Sequence, residues 1–125
     1  MEDWKIRIAA LWMVVEFGMF AVPLVEQHIP GYMDEIIAET TPEVMMLLAF
    51  IVMILPLMAF LALTLKDSID RWLNIILGIV FIALSPIGVI GVPTAYLPSM
   101  IIIAIVEIAA LVLIVWYAWK SKQKT

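Results

Sequence analysis

The sequence points to an all-α polytopic membrane protein, an antiparallel bundle of four transmembrane helices with a short amphipathic segment at the outer surface. Three observations carry this. Of 125 residues, 66% are hydrophobic and 14% charged. Soluble globular chains have about 45–50% and about 25%, so the surplus here needs lipid rather than one protein core as its solvent. Four apolar stretches recur, each near the ~20 residues that a helix needs to cross a hydrocarbon layer. Finally, all seven Lys and Arg residues fall on one side of a four-span arrangement, which is the cytoplasmic side by the positive-inside rule.

The first span is expected over residues 8–25, interrupted only by Glu16; at 1.5 Å per residue it covers about 27 Å. Lys5 and Arg7 ahead of an apolar run imitate a signal peptide, but no small-residue cleavage site follows, so the segment is expected to be retained. Residues 30–41, PGYMDEIIAETT, read as an interfacial helix, with Tyr32, Met33, Ile36 and Ile37 on lipid below an acidic face. The second span, 44–65, contains no charge. Thr41 is positioned to cap it, with Pro42 at the first helical position. The third span is expected over 72–92 with Asp67 or Ser68 as cap, and the fourth over 97–119 with Pro98 in its first turn. Pro56 and Pro86 each remove a backbone donor and are expected to kink the second and third spans. Gly88 and Gly91 after the second of these ease packing.

In this arrangement both termini are cytoplasmic, in the plasma membrane. Lys120, Lys122 and Lys124 follow the last span, while the opposite connectors carry Glu26, Asp34, Glu35, Glu39 and Glu43 and no base. Trp4, Arg71, Trp72, Trp116 and Trp119 are the expected inner interfacial anchors, with Tyr32 and Tyr96 at the outer surface. The basic tail is explained by orientation and anionic lipid, so no nucleic-acid partner is expected.

Subtracting four spans leaves only short connectors, which excludes a separate soluble catalytic domain. No cysteine is present, so disulfides and thiolate sites are excluded. No phosphate loop, nucleophile elbow or HExxH pattern occurs, and no enzymatic role, catalytic residue or cofactor is expected. The lone His28, beside Glu26, lacks the companions of a metal site.

Glu16 and Glu107 carry what chemistry remains. Both fall near the middle of their spans, about 12 to 18 Å from the ends, on antiparallel helices where they could face each other. A charge at helix centre costs roughly 2.5–3.5 kcal/mol on insertion scales, and no base lies at that depth, so the protonated acids are the expected resting forms. Paired carboxyls can share or exchange a proton. The functional reading is a site for a proton, a cation or an amphiphile's polar head, with Trp12 and Phe20, four residues to either side of Glu16, as its walls. The plainer alternative has the carboxyls bonded to each other, to Thr64 or Ser85, or to backbone freed by proline, simply fixing the bundle.

Over nearly its whole length the chain resembles an uncharacterised family of small four-helix integral membrane proteins of bacteria and archaea. The matching residues are Leu11-Trp12, Pro56, Arg71-Trp72, Asn74-Ile75-Ile76, Gly78, Pro93-Thr94, Tyr96, Glu107-Ile108 and the ending Ile114-Val115-Trp116-Tyr117-Ala118-Trp119. More distantly the layout is similar to DoxX-like proteins, some of which are tied to quinone or redox complexes. The chain departs from the closer family at Gly18, Pro23 and Ile54, where polar groups are common, leaving Glu107 as the shared intramembrane acid. These readings make a binding or transport protein the first expectation. An accessory or scaffold subunit, one that contacts lipid or quinone, is the alternative, with self-association or a membrane-protein partner expected in either case.

Overall fold

The computed structural model describes residues 3–90 and 92–121. Gly91, Lys122 and Lys124, named above for packing and charge, lie outside them. Five α-helices follow in order: α1 (Asp3–Glu26), α2 (Tyr32–Glu39), α3 (Pro42–Thr64), α4 (Asp67–Leu84) and α5 (Leu97–Lys120). Two short 3-10 turns, Ser85–Val89 and Thr94–Tyr96, join α4 to α5. No strand occurs among the described residues. Four of the helices, α1, α3, α4 with its continuation, and α5, are long and apolar enough to cross a membrane.

The helix ends follow local chemistry. The amide of Val44 donates to Thr41 Oγ1 at 3.2 Å, and Pro42 occupies the first turn, so α3 begins as expected from a hydroxyl cap followed by proline. α4 starts differently: its cap is Lys66, with no side-chain hydrogen bond, and Asp67 is already helical. Asp67 instead pairs with a lysine of α1. α4 also stops earlier than the expected 92. Pro86 does not kink a continuing helix; the α-helical run ends at Leu84 and tightens into the 3-10 turn, because proline offers Ile82 no amide. Ser85 Oγ donates to the Phe81 carbonyl at 2.9 Å, satisfying one acceptor of that last turn. Pro56, by contrast, lies within an unbroken α3, and Pro23 within α1.

α1 packs between α3 and α5, and α5 packs in turn against α4, while α3 and α4 scarcely meet. The ring of four helices is therefore nearly open on one side. Side chains of α1 reach across its diagonal to α4, as the edge-to-face contact of Trp12 and Phe81 at 5.8 Å shows. Gly78 makes the close approach of α4 to α5 possible, since a β-carbon there would meet Val115 Cγ2 at 2.6 Å.

The core is not evenly distributed along the bundle. α1 buries Trp4, Lys5, Ile8, Ala9, Trp12, Val15 and Glu16, and nothing further toward its C-terminus. α3 is exposed from Thr41 to Phe50 and buries its first residue at Leu55. On α5 the buried residues are concentrated from Glu107 to Ala118, with Met100 apart. Compact packing thus occupies the half of the bundle near Lys5, Arg7, Arg71 and Lys120, called here the basic end. Glu16 and Glu107 mark the level where it stops.

Candidate functional site

Glu107 projects from α5 at a position flanked one turn away by Ala104 and Ala110, and reaches the backbone of α1 where position 18 has no side chain. A β-carbon on Gly18 would lie 2.6 Å from Glu107 Cγ and 2.8 Å from its Oε1, so the carboxyl is seated directly on α1. Glu16 is two residues from Gly18, which at 100° per residue sets it about 160° around the α1 axis. The two acids therefore lie at neighbouring levels on opposite flanks of α1. No hydrogen bond joins them among the described residues, so they share depth without forming the direct pair that their spacing allowed.

Both carboxyls are buried, Glu16 at 6% and Glu107 at 9% relative exposure. Glu16 Oε1 is fully enclosed and has no hydrogen-bond partner. The hydroxyls expected as alternative partners are used elsewhere: Thr64 Oγ1 donates to the Phe60 carbonyl and Ser85 Oγ to that of Phe81, each within its own helix. Enclosed polar atoms are nearly always paired, and an unpaired one costs about 1–3 kcal/mol. Glu16 Oε1, like Asp70 Oδ2, is an enclosed carboxyl oxygen without a hydrogen-bond partner.

Of the two expected walls, only Trp12 belongs to the interior. It is fully buried, and its indole Nε1 donates to Asn74 Oδ1 at 2.7 Å. Phe20 is 58% exposed. It follows Glu16, the last buried residue of α1, by one turn, and its ring faces outward instead of lining a pocket.

The sequence reading missed a buried polar cluster on the basic-end side of Glu16. Asn74 Nδ2 donates to the Asp70 carbonyl at 2.7 Å and to Asp70 Oδ1 at 2.6 Å. Lys5 Nζ lies 2.8 Å from Asp67 Oδ1 and 3.7 Å from Asp70 Oδ2, and donates to the Leu65 carbonyl at 2.7 Å. Asp70 and Asn74 are completely buried. Their one-turn spacing, with Gly78 and Phe81 continuing the same buried stripe of α4, is the signal that was available. On α1, Lys5, Trp12 and Glu16 follow at i, i+7 and i+11, within about 40° of one another around the axis, and rise over about 16 Å. Polar groups thus run in file from the basic end to Glu16.

The expected anchors divide likewise. Trp72, Trp116 and Trp119 are about half exposed, as ring anchors should be, but Trp4 is 5% exposed and belongs to the core. Its place on α1 falls within the arc packed toward α5, which takes the ring inward. Arg71 is also buried, with its guanidinium 4.7 Å from the Trp72 ring and 5.3 Å from that of Trp119. No cluster of three or more metal-ligating side chains occurs among the described residues. No protein-family model, curated protein or solved structure matches the chain.

Proposed function

We propose that the protein is a small membrane-embedded binding or transport protein whose working groups are Glu16 and Glu107, taking up and releasing a proton or small cation at mid-depth in the bilayer. The observation that carries this is the enclosed, unpartnered Oε1 of Glu16. A carboxyl kept only to fix the bundle would have its oxygens bonded, and the hydroxyls of Thr64 and Ser85 bond within their own helices. A bound proton removes the buried charge, and a bound cation gives the oxygen a partner. The file of Lys5, Asp70, Asn74 and Trp12 offers a polar approach from the basic end. We place that end, with both termini, in the cytoplasm of a cell whose plasma membrane holds the protein.

The test is infrared spectroscopy of the full chain in lipid, comparing the carboxylic C=O band at about pH 5 and about pH 8, a window centred on working pH. Reversible exchange at Glu16 and Glu107 predicts a pH-dependent band, part of which disappears in Glu16→Gln and part in Glu107→Gln, with both variants still folded. A band that does not respond to pH would reduce the carboxyls to packing groups.

The second reading is an accessory subunit of a larger membrane complex. It is favoured by the open half of the bundle, where α3 is exposed over residues 41–50 and α3 and α4 scarcely touch. Mild-detergent purification from the native membrane separates the two readings: a stoichiometric partner supports the subunit, and an isolated chain that retains the pH-dependent band supports the carrier.

A further inference from the structure

The last turns of α5 read Trp116-Tyr117-Ala118-Trp119-Lys120, and each of the three rings carries a cation on its face. Arg7 of α1 lies 5.5 Å from the Tyr117 ring, Arg71 of α4 lies 5.3 Å from Trp119, and Lys120 lies 4.7 Å from Trp116. The ion pairs among the described residues go to Lys5; among those residues no carboxylate comes within pairing distance of Arg7, Arg71 or Lys120. Arg71 is nine-tenths buried, and its Nε and Nη2, which form one edge of the guanidinium fork, have no hydrogen-bond partner. This end of the molecule therefore holds more cationic charge than its own acids compensate.

Between the ends of α1 and α5 lies a cleft lined by Asp3, Trp4, Arg7, Tyr117, Lys120 and Ser121. Among its described lining residues, two bases and one acid give a net charge of one positive unit. The rings fix the positions of Arg7 and Lys120, so less freedom is lost when an anion binds. Ser121 Oγ is already committed to the Ala118 carbonyl, which leaves Arg7 and Lys120 as the anion-binding groups.

We propose that this cleft seats the phosphodiester of an anionic phospholipid, with Arg7 and Lys120 contacting the phosphate and Trp4 and Tyr117 walling the glycerol side. A phosphodiester carries a single negative charge, which matches the net charge of the cleft. Free phosphate carries more charge and has no apolar part to set against the rings. The site lies where the chain leaves the apolar spans, at the level of the headgroups.

The test uses the purified full chain in detergent, incubated with phosphatidylglycerol, with phosphatidylcholine or with inorganic phosphate, and native mass spectrometry to count retained lipid. Phosphatidylglycerol should be retained over phosphatidylcholine, and inorganic phosphate should not displace it. Arg7→Gln and Lys120→Gln should each weaken retention about fivefold, as expected for loss of one interfacial base. Asp3→Asn should strengthen it. Lys66→Gln, at the same end but outside the cleft, should leave it unchanged, and two separate cleft variants guard against misfolding of one. Equal loss in Lys66→Gln would show diffuse attraction without a site, and displacement by inorganic phosphate would assign the cleft to a soluble anion; either result overturns the proposal.

Discussion

Glu107 sits against bare backbone because position 18 lacks a side chain, and this contact is the one by which α5 delivers a carboxyl to α1. Gly18→Ala puts a methyl 2.6 Å from Glu107 Cγ, so either the carboxyl turns away or the helices separate. Overpacking of this kind costs about 1–3 kcal/mol. The variant is expected to lose that much stability in a detergent unfolding titration. Combining it with Glu107→Ala should recover most of the loss, because the clash needs both partners. An additive double variant would mean that Glu107 leaves Gly18 without cost. The same contact shows what was legible in the residues. Both acids were visible as charges in apolar runs, but their placement on opposite flanks of α1 depends on which arc of that helix faces α5. Residue spacing within α1 does not decide that.

At the scale of elements, α4 departs furthest from expectation, and its two ends do so for different reasons. Its start was read as a capped end because Asp67 and Ser68 are good capping residues. Tertiary pairing overrides that: Asp67 and Asp70 both turn to Lys5, a residue of α1 that sequence reading counted only for its charge. Its finish is not predicted by proline alone, because proline is tolerated within membrane helices, as Pro23 and Pro56 are in this chain. Pro86 acts instead as a terminator, since the 3-10 turn beginning at Ser85 leads straight into the connection to α5. Pro86→Ala restores an amide able to donate to Ile82, and α4 should then extend by about one turn. Hydrogen exchange would register this as new protection at positions 86 to 88 in lipid. Unchanged exchange there would assign the end of α4 to packing against α5 and not to proline. The spans themselves and the Thr41 cap were legible because apolar length and a hydroxyl before proline act locally.

For the molecule as a whole, the polar groups and the core share one asymmetry. Close packing, the Lys5 cluster and the aromatic collar on α5 all lie toward the basic end, while the opposite half of α3 is left to lipid or to another helix. If that end is cytoplasmic, the Glu16 file opens to the cytoplasm and the open half faces the outer leaflet. A reversed orientation would invert both the proton access and the leaflet that supplies the headgroup. Because the chain has no cysteine, any introduced thiol is unique and its side can be read without background. Glu39→Cys and Ser68→Cys place thiols at exposed positions on opposite ends of the bundle. In intact cells a membrane-impermeant maleimide should label Glu39→Cys at once and Ser68→Cys only after permeabilisation. The opposite pattern would turn the basic end outward against Lys5, Arg7, Lys66, Arg71 and Lys120. Equal labelling of both before permeabilisation would mean that the chain inserts in two orientations, and a carrier built on one-sided access to Glu16 would then require the two forms to assemble together.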